Sequence, residues 1–278
     1  MDLKVLATRS GSGILFLVVV VAGLLAPACF LVLGNLLIAG LSMEFYRLTV
    51  GKRFRKEAVC IILAAMLAFT LGFFMLQSGL EARWMMTAFL PVIAASIFLL
   101  FDGAAGHEFP TAVYFPLIYV LPAFLAAVLM AFPVDGAYTW KLLLGIFVII
   151  WCNDIGAYSL GMLLGQRPDS RKLFPALSPK KSWIGVVGGT LFAFLAAWLV
   201  SITFGVSVLS WPHWLAIAGI ESVFGVLGDL FESLLKRHAQ VKDAGKLIPG
   251  HGGLLDRFDD MLFVFPLVAV YLALFHLL

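Results

Sequence analysis

Apolar residues run through this chain in long, nearly unbroken stretches, and polar residues gather in the gaps between them. A stretch of about 17–25 apolar residues can cross a bilayer as a helix, because a helix satisfies its own backbone hydrogen bonds where no water is available. Nine stretches qualify, at about 11–27, 29–50, 58–77, 83–101, 111–132, 137–164, 183–204, 209–236 and 258–278. The pattern predicts an all-α integral membrane protein with about nine transmembrane helices. The sixth and eighth stretches are longer than a bilayer needs and carry acids, so they are expected to extend into water or to line a cavity.

Composition agrees: of the 278 residues 62% are hydrophobic and 13% charged, against about 25% charged in soluble domains. The net charge of +3 is small and scattered, which argues against a nucleic-acid partner. The positions of the cations are more informative, since Lys and Arg favour cytoplasmic loops. With the N-terminus inside, Lys4, Arg9, the 51–57 loop (Lys52, Arg53, Arg55, Lys56), the 165–181 loop and the 236–257 loop are all cytoplasmic. Only Arg83 and Lys141 of the nineteen basic residues then fall outside, and nine spans place the C-terminus outside. One inside loop, 102–110, has no basic residue. Lys4 and Arg9 ahead of an apolar run ending in Ala26-Pro27-Ala28 have the form of a signal peptide. Another apolar stretch follows at once, so a retained first span is expected. Cys29, Cys60 and Cys152 lie in apolar segments without ligand spacing and are expected as small core residues, with no disulfide or zinc site. The chain reads as one polytopic membrane domain, 1–278, with N-terminal helices in 1–135 and the candidate chemistry in 136–278.

That chemistry lies in two inside loops and the helices feeding them. On the eighth stretch, Asp229, Glu232, Ser233 and Lys236 recur at i, i+3, i+4 and i+7, hence on one helix face. Acids within a membrane segment usually face a bundle interior or a water-filled cavity. In the following loop, Pro249-Gly250 and Gly252-Gly253 break regular helix and permit close backbone approach to a phosphate. Lys236, Arg237, Lys242, Lys246 and Arg257 supply cations, and Asp256, Asp259 and Asp260 open the last helix. Carboxylates beside cations suit a Mg²⁺-nucleotide site, and a helix N-terminus favours phosphate. The third segment places Asp154 inside an apolar helix and puts Ser178-Pro179-Lys180-Lys181-Ser182 ahead of the seventh helix. Of the five histidines only His251 has a glycine-rich context. Glu44 and Glu221 read as interfacial caps or as proton-relay acids.

Three readings of these residues compete. One is a Mg²⁺-nucleotide site at a membrane surface. A transporter would use Asp154, Asp229 and Glu232 as a cation or proton path, but it predicts repeated halves, and none is found. A patch for anionic lipid needs only cations and gains nothing from Asp243, Asp256, Asp259 and Asp260.

The run Ser233-x-x-Lys236-Arg237, Lys242-Asp243, Pro249-x-His251-Gly252-Gly253, Asp256-Arg257-x-Asp259 spans twenty-seven residues and resembles the signature of the CDP-diacylglycerol synthases, or phosphatidate cytidylyltransferases. Gly228-Asp229-Leu230-x-Glu232-Ser233, Asp154-x-Gly156-Ala157-Tyr158 and Ser178-Pro179-x-Lys181 are also similar to that family. The likeness covers about the C-terminal half. Ser182 stands where the family often has Thr, and Ile184 where it often has Glu or Gln.

The resemblance implies transfer of the cytidylyl group of CTP to phosphatidic acid, giving CDP-diacylglycerol and pyrophosphate, with Mg²⁺ required. It implies a multi-pass protein of the bacterial plasma (inner) membrane whose active site faces the cytoplasm. Asp229 and Asp256 are the first-choice metal ligands by this analogy, with Asp259 a third. Lys181, Lys236, Arg237, Lys242 and Arg257 are assigned to phosphate neutralisation, and Asp243 and His251 to the catalytic loop. Ser178, Lys180, Lys181, Ser182, Ser233, Gly252 and Gly253 are assigned to phosphate binding, with Asp154 and Glu232 as accessory acids. A second, monovalent cation, a homodimer and an ether-linked lipid substrate stay open. The same reading predicts that Lys141→Ala, on the expected outer side, leaves formation of CDP-diacylglycerol close to that of the unaltered chain, measured with labelled CTP.

Overall fold

The computed structural model describes residues 3–49, 55–80, 114–133, 136–167, 169–205, 208–250 and 252–278. The expected fourth span (83–101), the 102–110 loop and His251 lie outside them. Every expected span that falls on described residues is helical. The elements run α1 (Leu3–Leu25), α2 (Pro27–Thr49), α3 (Arg55–Gln77), α4 (Phe115–Tyr119), α5 (Leu121–Ala131), α6 (Lys141–Leu163), β1 (Lys172–Phe174), β2 (Ser178–Ser182), α7 (Trp183–Phe204), α8 (Trp211–His238) and α9 (Leu255–Leu274). Among the described residues, five helices are long and apolar enough to cross a membrane: Pro27–Thr49, Lys56–Gln77, Lys141–Leu163, Trp183–Phe204 and Trp211–His238. Shorter apolar helices occur at Gly11–Leu25 and Phe115–Ala131.

Departures from the expected pattern have local causes. The fifth stretch divides into α4 and α5 at Val120, because Pro122 has no N–H to continue the helical ladder. Helix α3 starts at Arg55, so part of the expected 51–57 loop is helical. Helix α8 runs two residues past its expected end, which brings Lys236, Arg237 and His238 into a last turn whose partial negative charge favours them. The 165–181 loop is not purely irregular. It folds into an antiparallel hairpin with Lys172 opposite Ser182 and Phe174 opposite Ser178, a small sheet added to an otherwise helical architecture. Ser182 caps α7, its hydroxyl accepting the Gly185 N–H at 3.2 Å.

Glycine sets the closest helix contacts. Without a hydrophobic driving force in lipid, helices associate through van der Waals packing, and small residues allow close approach. Gly156 of α6 faces Gly188 of α7: a Cβ on Gly156 would sit 2.5 Å from the Gly188 carbonyl oxygen. Gly161 and Gly185 meet one turn further on. At Gly228 of α8, a Cβ would lie 2.6 Å from the backbone oxygen of Asp259, so α9 rests directly on the α8 backbone there. Aromatic rings knit four helices together, with Phe45 stacked on Phe115 (5.0 Å), Tyr119 against Phe231 (5.2 Å) and Phe231 against Phe263 (5.6 Å).

The C-terminal ends of α2, α6 and α8 and the N-terminal ends of α7 and α9 are tied together at one end of the bundle, along with the hairpin and the 239–254 loop. Lys141 begins α6, about 20 Å of helix from Asp154.

The tight α6–α7 seam predicts that Gly156→Ala, by over-packing, costs about 1–3 kcal/mol. This is read as a lowered unfolding midpoint in detergent, whereas Gly11→Ala, with nothing within 4 Å of its new methyl, leaves the midpoint unchanged or raised.

Candidate active site

Helix α8 presents Asp229 and Glu232 one turn apart, and the contact at Gly228 brings the first turns of α9 alongside. Ligand atoms of Asp229, Glu232 and Asp259 consequently lie within 4.8 Å of one another. Three carboxylates so close repel strongly in a low-dielectric setting unless cations intervene. Two lysines do so. Lys181, at the end of the hairpin, pairs with Asp229. Lys236, one turn along α8, pairs with Glu232 and, at 2.7 Å, with Asp256. One oxygen of the cluster, Glu232 Oε1, is buried with no hydrogen-bond partner among the described residues. Such an orphan calls for an explanation, and a hard cation with oxygen ligands supplies one.

Asp256 stands beside the cluster, and its oxygens are already engaged. Oδ1 receives the Lys236 ammonium, while Oδ2 accepts the Ala244 N–H (2.9 Å) and the Gly253 N–H (2.8 Å). It lies ahead of the apolar stretch that begins at Phe258. Burial pushes its carboxyl up, but Lys236 and the Gly253 N–H outweigh burial and hold its pKa below the usual aspartate range. Of the two aspartates expected as first-choice ligands, then, Asp229 lies in the gathered set, and Asp259 and Glu232 occupy the places beside it. Asp256 pins the loop.

That loop is shaped by its glycines. Gly250 and Gly252 have φ of +76° and +87°, a region open chiefly to glycine. The Ile248 N–H donates to the Gly252 carbonyl at 2.9 Å, closing the turn. At Gly252 a Cβ would also press on Asp256, 2.5 Å from Oδ2.

A cleft opens beside the cluster. It is lined by Gly13, Phe16 and Leu17 of α1, Trp151 and Asp154 of α6, Ile248, and Asp256, Arg257 and Asp259 of α9. Asp154 and Arg257 therefore face the same space as Asp259. Other expected residues are placed differently. The guanidinium of Arg237 donates to the carbonyls of Leu177 and Val241, both at 3.3 Å, and so ties the hairpin to α8. Ser233 is buried on α8, Lys180, Lys242 and Asp243 are exposed, and Ser178 lies in β2.

Glu44 and Glu221, read from the sequence only as interfacial caps or proton-relay acids, gain specific partners in the structure. Glu44 of α2 accepts the Leu255 N–H at 2.9 Å, across 211 residues. Glu221 accepts from Asn153 Nδ2 at 2.9 Å and keeps its second oxygen, like Oδ1 of Asp260, buried without a hydrogen-bond partner among the described residues. Their long sequence separations carry no local pattern. The one available signal was an acid within an apolar helix, which Glu44 and Glu221 both show.

The chain belongs to the cytidylyltransferase family, whose model matches residues 7–275. It is similar to the phosphatidate cytidylyltransferase of Bacillus subtilis (strain 168), with 47% identity over 128 residues, which is 46% of each chain. The phosphatidate cytidylyltransferase of Staphylococcus saprophyticus is 44% identical over 126 residues, 45% of this chain and 46% of that one. The Staphylococcus aureus (strain COL) enzyme of the same name is 44% identical over 128 residues, 45% and 46% of the two chains. The matched stretch thus spans about half the length of these relatives.

Lys236 holds two acids that are 1% and 9% exposed. Removing one partner of a buried ionic set costs about 3–5 kcal/mol. Lys236→Met is expected to lower the unfolding midpoint markedly, and adding Glu232→Gln to recover part of the loss; a single variant as stable as the parent would contradict the pairing.

Proposed function

We propose that this protein transfers the cytidylyl group of CTP to phosphatidic acid, producing CDP-diacylglycerol and pyrophosphate for phospholipid synthesis. The observation that carries the reading is the gathering of Asp229, Glu232 and Asp259 between Lys181 and Lys236. Membership of the cytidylyltransferase family and the names of the relatives support it.

The reaction needs no side-chain nucleophile. An oxygen of the phosphatidate monoester attacks the α-phosphorus of CTP, a new P–O bond forms, and the bond to the oxygen bridging the α- and β-phosphorus atoms breaks. Pyrophosphate leaves with that electron pair. Catalysis is then positioning and charge neutralisation. The donor set of Asp229, Glu232 and Asp259, with its orphan Glu232 oxygen, fits Mg²⁺. When bound, the ion would supply positive charge against the phosphate oxygens of CTP. The chain's own groups do the rest. Arg257 lines the cleft and offers a guanidinium to a phosphate. Lys181 and Lys236 reach the edge of the cluster and share their charge between its acids and incoming phosphates. Phe16, Leu17 and Trp151 give the cleft apolar walls suited to the chain-bearing part of a lipid.

The reaction belongs at the cytoplasmic face of a bacterial plasma (inner) membrane. The bundle end that bears the cluster also bears Lys181, Lys236, Arg237, Lys242 and Arg257, and the positive-inside rule favours that end for the cytoplasm.

Purified protein in micelles, given labelled CTP, phosphatidate and Mg²⁺, is expected to form a labelled lipid; no product from correctly inserted protein would overturn the reading. Asp229→Asn and Asp259→Asn are each expected to lower turnover about 100-fold or more, in line with the loss of a preorganised electrostatic group. Near-normal turnover in either would remove that residue from the ligand set.

A further inference from the structure

Helix α9 starts without a cap of its own. Its N-cap position is Leu254, in helical conformation, and makes no side-chain cap hydrogen bond. The first four N–H groups of a helix have no internal partner and must find one elsewhere. Here the partner comes from α2. Glu44 is 4% exposed, and its Oε2 accepts the Leu255 N–H at 2.9 Å, with the Leu254 amide also directed at the carboxylate. A negative charge at a helix N-terminus gains from the helix dipole.

The same carboxylate is clamped by two strands of the glycine-rich loop. A Cβ on Gly245 would lie 2.8 Å from the carboxyl carbon of Glu44, and one on Gly253 would lie 2.7 Å from it. No residue other than glycine fits at either wall without displacing Glu44. Asp256 links those strands a second time, through the Ala244 and Gly253 N–H groups. The loop is thus pinned from one side by Asp256 and from the other by Glu44, the latter a residue of the N-terminal helices. One turn beyond Leu255, Asp259 rests against Gly228 and beside Asp229.

We infer that Glu44 is a positioning residue, which caps α9 in trans and holds the 244–255 segment so that Asp259 meets Asp229 and Glu232. The hydrogen-bond acceptor does this work, and Glu44 contacts no reacting atom. For its activity readout the inference rests on the cytidylyltransferase reading.

The test compares Glu44→Ala, Glu44→Gln and Gly245→Ala in the full chain. Glutamine keeps an acceptor for the Leu255 N–H, alanine keeps none, and a methyl at position 245 pushes the carboxylate aside. The Ala variants at 44 and 245 are expected to lose turnover about 100-fold, the size of effect that a small misplacement of catalytic groups produces. Glu44→Gln is expected to stay within about fivefold, because a neutral acceptor retains most of a hydrogen bond. Amide hydrogen exchange over 244–256, read without substrate or metal, is expected to rise at least tenfold in both Ala variants and to stay near that of the unaltered chain in Glu44→Gln. Unaltered turnover in Glu44→Ala, an equal loss in Glu44→Gln, or unchanged exchange in the Ala variants would overturn the inference. If Glu44→Ala does not fold, Glu44→Gln and Gly245→Ala decide the question. An unaltered chain that makes no labelled lipid would overturn the functional reading instead, and the exchange comparison would still judge Glu44.

Discussion

The site depends on the approach of α9 to α8 at Gly228. With no side chain between them, the backbone of Asp259 lies directly on α8, next to Asp229 and one turn from Glu232. Any larger residue at 228 would drive the helices apart and, with them, the carboxylates. Glycine contacts of the same kind join α6, which carries Asp154, to α7, so these two helices also are spaced by backbone contact rather than by side-chain bulk. In a lipid environment this is the expected means of association, since burial of apolar surface gives no preference for helix over lipid.

Close spacing creates an electrostatic problem that the basic residues resolve. Acids near the end of a membrane helix tolerate one another only when paired or bound to a cation. Lys236 serves Glu232 and Asp256 together, and Lys181 comes from outside the bundle to reach Asp229. The hairpin that delivers Lys181 is itself held by Arg237 through the Leu177 carbonyl. Two of the cations expected to meet phosphate therefore have structural ties as well. Lys181 neutralises an acid of the cluster, and Arg237 anchors the element that carries Lys181.

The division of the chain into a catalytic half and a set of N-terminal helices is softened by these contacts. Phe16 and Leu17 of α1 line the cleft, Ser12 donates to the Pro249 carbonyl at 2.9 Å, and Glu44 of α2 caps α9. The first half supplies one wall of the site and part of the frame of its loop. In the sequence Glu44 stands out only as an acid in an apolar helix, because its partner lies 211 residues away.

Much of the protein was legible before any coordinates. Long apolar stretches dictate helices because lipid leaves the backbone no other partner, and the i, i+3, i+4 and i+7 spacing of Asp229, Glu232, Ser233 and Lys236 follows from helix geometry. The concentration of charge after α8, and the glycines that bend the loop, were likewise local properties. Tertiary structure decided which carboxylates converge. Asp256 and Asp259 share one helical face in sequence, yet Asp256 turns to Lys236 and the loop amides while Asp259 meets Asp229. Spacing along one helix fixes only direction, whereas the choice of partner depends on which backbone groups and cations other elements bring within reach.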